Sequence, residues 1–100
     1  MDEEYVEAVL VLVERVPPGR VTTYGAIAER VGRGGPRSVG RVMSLHGGLV
    51  SWWRVVRADG SLPDFKDPTA LESYRVEGTP LTSSNRPDMR RAFWDAWSGG

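Results

Sequence analysis

The stretch VPPGRVTTYGAIAERVGRGGPRSVGRVMSL, residues 16–45, carries the strongest architectural signal in the chain. PPGR at 17–20 ends whatever precedes it, because proline fixes φ and lacks an N–H. Thr22 or Thr23 then offers a hydroxyl to cap a helix, TYGAIAERV, whose apolar positions are Ile27, Ala28 and Val31. GRGG at 32–35 is a turn. Pro36 suits the first turn of a further helix, PRSVGRVMSL. That helix buries Val39, Val42 and Met43 and leaves Arg37 and Arg41 four apart on another face. A helix, a short glycine-bearing turn and an arginine-bearing helix make the helix-turn-helix pattern, in which the second helix enters a groove of DNA. The same spacing also fits a plain helical hairpin of a small bundle.

Working outward, EEYVEAVLVLVER at 3–15 has apolar residues at helical spacing and acids in its first turn, which suits the helix dipole. Downstream, HGG at 46–48 loops out. WWRVVRADGSL reads as a short strand, a turn at Asp59-Gly60 and a second strand, a β-hairpin wing. On a strand Trp52 and Trp53 point to opposite faces, so one core does not hold both. Asp67 is placed to cap a helix that has Pro68 in its first turn and ends at Gly78. The tail predicts a last helix over 86–97, with Met89, Phe93 and Trp97 on one packing stripe. The fold class is α/β, mostly α: a winged helix-turn-helix domain with a small β-hairpin wing.

One hundred residues make a single domain, 1–100, and 40% hydrophobic with 26% charged residues suits a globular chain. No apolar run is long enough to span a bilayer. The acidic start MDEEYVEAV is the reverse of a secretory or transit signal. Cysteine is absent, which removes disulfides, thiolate metal sites and a nucleophilic thiol together. With one histidine, no metal site and no cofactor is expected, and the expected location is cytoplasmic. The zero net charge hides an uneven distribution. Residues 1–19 carry a net −4 and residues 58–100 a net −2; residues 20–57 carry +6, from Arg20, Arg30, Arg33, Arg37, Arg41, Arg54 and Arg57 against Glu29. A local arginine patch is what DNA binding requires, although a solvated arginine-rich face gives the same count.

The strings VPPGRVTTYGAIAERVG, PRSVGRVM, SWWRVVRADGSL and ALESYRVEGTPL resemble, in order and spacing, the C-terminal DNA-binding domain of O6-alkylguanine-DNA alkyltransferases, over about residues 3–81, with 82–100 as an extension. In that family the third string begins Pro-Cys-His-Arg-Val, and the cysteine accepts the alkyl group. Here Trp52 stands at the cysteine and Trp53 at the histidine that would activate it. Transfer to sulfur needs a thiolate, so alkyl transfer is excluded. A tryptophan at that position resembles the alkyltransferase-like proteins, which bind the same lesions without chemistry.

The resemblance implies a non-enzymatic protein that binds duplex DNA containing O6-alkylguanine through the minor groove. It would flip the base and mark it for nucleotide excision repair proteins, as a monomer, associated with the nucleoid when bound. Arg37 matches the family's intercalating arginine and Tyr24 the tyrosine that presses on the 3′ phosphate; Ser38, Gly40 and Arg41 complete the DNA-binding set. The lesion pocket falls to Trp52, Arg54, Val55, Ser61 and Lys66, within and beside the loop 61–66. Trp53 packs inside. Glu77, which orients the histidine in the family, has no catalytic part left and holds Arg54 or a backbone amide. His46 serves a cap or hinge. The main alternative is a winged-helix transcriptional regulator reading the major groove, against which Gly40 in mid-helix favours close backbone approach to a minor groove.

Overall fold

The computed structural model describes residues 2–62 and 67–97. Helix α1 spans Glu3–Arg15, with Asp2 as its cap accepting from the Glu4 amide. Strand β1 is Thr22–Thr23, helix α2 Tyr24–Val31 and helix α3 Pro36–His46. The Thr23 hydroxyl caps α2 by accepting from the Ala26 amide at 3.0 Å. Gly32 closes that helix at φ +87, a left-handed conformation that favours glycine. Two 3₁₀ turns follow, Gly47–Leu49 and Trp52–Arg54, then strand β2, Val55–Val56, helix α4, Asp67–Glu77, and helix α5, Met89–Ala92. Helix α4 ends before Gly78, at φ +73. The side chain of Asp67, and with it the expected cap, lies outside the described residues. None of the described helices is long and apolar enough to cross a membrane.

Helices α1, α2 and α3 pack around Val9, Val13, Ile27, Val39, Val42 and Met43. A second cluster joins Val21, Val56, Leu62, Ala70, Tyr74 and Ala92. Strand β2 is the partition between the two: Val55 belongs to the first cluster and Val56 to the second, as the two-residue period of a strand demands. Each fully buried valine contributes about 1.5–3 kcal/mol relative to exposure.

The wing differs from the expected hairpin. Strand β2 pairs in parallel with β1, Thr22 opposite Val55 and Thr23 opposite Val56. Thr22 and Val21 are fully buried, so their backbone groups need partners; β2 supplies those of Thr22, and the tail supplies those of Val21. The Asp59-Gly60 turn does form: Arg57 donates to the Ser61 carbonyl at 2.9 Å and Gly60 to the Arg57 carbonyl at 2.8 Å. Beyond it Ser61 and Leu62 are buried without joining a ladder. Nor does a strand hold the two tryptophans. They sit in the 3₁₀ turn, both half-buried, with ring centroids 5.7 Å apart and planes at 85°.

The tail also departs from expectation. The helix expected over 86–97 is a single turn, Met89–Ala92, after which Phe93 is extended (φ −63, ψ 135). Val21 donates to the Ala92 carbonyl at 2.9 Å and Trp94 donates to the Val21 carbonyl at 2.7 Å, so the tail lies along Val21. Met89 packs on the second cluster while Trp97 is buried in the first, with its indole N–H on the Leu12 carbonyl at 3.2 Å. A helical stripe would keep the two on one side. Extended chain covers about 3.3 Å per residue against 1.5 Å in a helix, and that reach carries Trp97 across to α1.

Candidate nucleic-acid interface

Helix α3 starts at Gly35 without a side-chain cap, with Pro36 in the first turn and no acid there. Arg37 follows, exposed, where the helix dipole disfavours a cation. Arg41 is exposed one turn on. Between them Gly40 presents bare backbone: a Cβ added there meets nothing within 4 Å. Gly40, Arg37 and Pro36 form one wall of an open cleft of about 340 Å³, and Tyr24 and Arg57 form the other. Tyr24 arrives there because the Thr23 cap starts α2 at that residue. Burial pushes its hydroxyl pKa up, and the Arg57 cation pulls it partly back.

Arg57 was not among the residues expected from the sequence. Its signal was present, as the last of the central arginines, but only the parallel pairing of Thr23 with Val56 brings the next residue, Arg57, beside Tyr24. The other arginines divide by use. Arg20 donates to the carbonyls of Ala92 and Phe93 at 3.1 and 2.9 Å. Arg33 pairs with Asp2 at 2.7 Å and lies 5.2 Å from the Tyr5 ring centroid. Arg54 is nearly buried. The exposed cations at the cleft are Arg37 and Arg57 in its walls, with Arg41 one turn further along α3; Arg30, on α2, is exposed but does not line it. Ser38, expected beside them, is half-buried on another side of α3, in a hollow with Asp2, Tyr5, Arg33 and Gly34.

The expected lesion pocket comes together only in part. Trp52 is half-buried and wedged against both clusters, beside Gly47, where an added Cβ would lie 3.6 Å from the Trp52 Cβ. Arg54, Val55 and Ser61 are committed to the framework instead. Val55 is fully buried in the first cluster. Both the Ser61 hydroxyl and its amide donate to Asp59 Oδ1, at 2.6 and 2.9 Å, closing the turn. Lys66 lies outside the described residues.

Arg54 belongs to a network centred on Glu77. Arg54 Nε donates to Oε1 at 3.1 Å and Nη2 to Oε2 at 2.6 Å, while Nη1 reaches the Val16 carbonyl at 3.0 Å. The Gly19 amide donates to Oε1 at 3.1 Å and the Trp53 indole to Oε2 at 3.0 Å. Glu77 thus holds both Arg54 and a backbone amide. Burial alone would raise its pKa, but the bonds from Arg54, Gly19 and Trp53, with the Arg54 charge, outweigh it and hold the carboxyl below its ordinary 4.5. Trp53 is fixed from its other end too, since the Tyr74 hydroxyl donates to its carbonyl at 2.6 Å. An indole N–H in this place donates to the glutamate but cannot take up a proton.

Residues 4–77 match the family described as 6-O-methylguanine DNA methyltransferase, DNA binding domain. The chain belongs to this family. Its resemblance to the alkyltransferase-like members holds against the relatives. The DNA base-flipping protein of Escherichia coli K12 is 29% identical over 101 residues, which cover 94% of this chain and 77% of that one. The DNA base-flipping protein of Vibrio parahaemolyticus is 29% identical over 97 residues, 92% of this chain and 97% of its own. Among solved structures, S. pombe Atl1 in complex with damaged DNA containing O6-carboxymethylguanine superposes with a TM-score of 0.79 at 28% identity, over 94% of this chain and 97% of that one. A second complex, S. pombe ATL with DNA, gives a TM-score of 0.78 at the same identity and coverage. The winged-helix fold of the family is the fold of this chain.

Proposed function

We propose that the protein recognises O6-alkylguanine in duplex DNA by rotating the base out of the stack, and transfers nothing. One observation carries this reading: an open cleft is lined by Tyr24, Arg37, Gly40 and Arg57 in a chain that has no cysteine, which supports a DNA-facing surface without transfer chemistry. Rotating a base out costs a few kcal/mol, least where pairing is already damaged. Arg37 fills the gap, its planar guanidinium stacking and bonding to the unpaired cytosine. Tyr24 presses on the phosphate beside the lesion, and Arg57 neutralises that phosphate. The bare backbone at Gly40 permits close approach to the minor groove. Trp52 offers a face to the extruded base, a contact worth about 1–3 kcal/mol. Without a thiolate or a proton acceptor at 52 and 53, the encounter ends in a bound complex, suited to being handed to nucleotide excision repair. The acting unit is the monomer of this one domain, in the cytoplasm and on the nucleoid.

The test is tryptophan-fluorescence titration with duplexes carrying O6-methylguanine or guanine at one position. Tighter binding to the alkylated duplex is expected, with a radiolabelled methyl group remaining on the DNA. Equal affinities would remove lesion recognition and favour a sequence-reading regulator; label on the protein would remove the non-enzymatic reading.

A further inference from the structure

The outer stripe of α1 is a second surface of opposite character. Glu3, Val6, Glu7, Leu10, Val11 and Glu14 recur at helical spacing and, with Leu45 and His46 from the end of α3, line an open groove of about 620 Å³. It shares no lining residue with the Tyr24–Arg57 cleft. Val11 is 49% exposed and Leu45 60%; Leu49, three residues past His46, is 81% exposed. Clustered exposed apolar side chains of this kind mark interaction sites. The rim is carboxylate, formed by Glu3, Glu7 and Glu14, within the segment 1–19 that carries a net −4.

We propose that this groove docks a basic amphipathic helix from a partner protein. Apolar side chains one helical turn apart seat over Leu10, Val11 and Leu45, and flanking lysines or arginines meet Glu3, Glu7 and Glu14. The sign of the rim repels DNA phosphate, so the groove and the arginine cleft sort their ligands by charge. The exposed arginines of the cleft face bring no large exposed apolar side chain with them: beyond this patch, the large hydrophobic exposed among the described residues is Val76 on α4. A basic, leucine-bearing helix therefore satisfies both features of the groove at once. The proposal stands whether or not the cleft binds alkylated DNA.

The experiment is an NMR and anisotropy titration of the full chain with a fluorescent leucine–lysine peptide of about 18 residues, five helical turns. A scrambled peptide of the same composition and a leucine–glutamate version serve as comparisons. The striped basic peptide is expected to shift amides of α1 and the end of α3, and to bind about tenfold tighter than the scrambled one. Val11→Ser with Leu45→Ser should lower that affinity about tenfold and leave duplex DNA affinity unchanged; both side chains are exposed, so far-UV circular dichroism should be that of the wild type. Equal binding of striped and scrambled peptides, shifts confined elsewhere, or an unaffected double-serine variant would overturn the proposal. A wild-type dimer in sedimentation that the double-serine variant dissolves would overturn it too, by giving the groove to a second copy.

Discussion

At Glu77 one carboxylate accepts from Arg54, Trp53 and the Gly19 amide, and the Arg54 and Glu77 side chains are only 13% and 11% exposed. Removing one charge of such a pair leaves the other buried without its partner, which costs about 3–5 kcal/mol. Glu77→Gln is therefore expected to lower the urea-derived stability by about that range, since the amide NH₂ also turns a donor toward donors. Trp52→Cys is expected to accept no methyl label from O6-methylguanine DNA, because Trp53 beside it cannot act as base. In the cleft, Arg37→Ala should cost more affinity for alkylated duplex than Arg41→Ala. Arg57→Ala should weaken binding to any duplex and reduce the slope of log affinity against log salt by about 1. Fluorescence titrations at several salt concentrations read both effects. Arg37 and Tyr24 were legible from the sequence because the family's motif string fixes their place. Arg57 was not, because its place beside Tyr24 rests on the parallel register of β1 and β2, which joins residues far apart in the chain.

Among the elements, α2 and α3 were readable almost residue by residue, since caps, turn glycines and Pro36 act on their immediate neighbours. Gly40 and Gly34 separate two uses of glycine. Gly40 has open space around an added Cβ, so Gly40→Ala should stabilise α3 by about 0.5–1 kcal/mol while weakening DNA binding. A variant that binds DNA as well as wild type would show that no backbone approach occurs there. Gly34 holds φ +70, and a Cβ there would lie 2.5 Å from the Tyr5 hydroxyl. Gly34→Ala should lower the melting temperature, because both the conformation and the space are denied. The wing was misread for a physical reason. WWRVVRADGSL carries strand and turn chemistry, but a turn signal does not choose the partner of a strand. The buried Thr22 of β1 needs backbone partners next to β2, and that pairing took the place of the hairpin.

At the scale of the molecule, the family match ends at residue 77, yet the core does not. Ala92 and Trp97 are buried, Arg15 donates to the Trp97 carbonyl, and the tail backbone bonds to Val21. Trp97→Ala should destabilise the whole fold by about 3–5 kcal/mol, measured by denaturant unfolding. Stability should also depend on acid through Glu77. Its folded pKa lies below 4.5, so its contribution is fully present above 4.5 and is lost as the pH falls through the depressed value. Between about pH 6 and 3, thermal unfolding of the wild type should lose more stability than that of Glu77→Gln, whose profile is flatter; parallel profiles would mean another group governs acid sensitivity.

Local pattern was enough for what neighbours decide: the three N-terminal helices with their caps and turns, the clustering of positive charge, and the absence of any thiol to carry an alkyl group. Long-range packing selected which arginines are tied to Asp2, Glu77 and the tail carbonyls, which strand β2 would join, and that the tail would stretch to deliver Trp97 to α1. Those choices join residues far apart in the chain. They are settled by competition for buried volume and for hydrogen-bond partners, which local pattern does not encode.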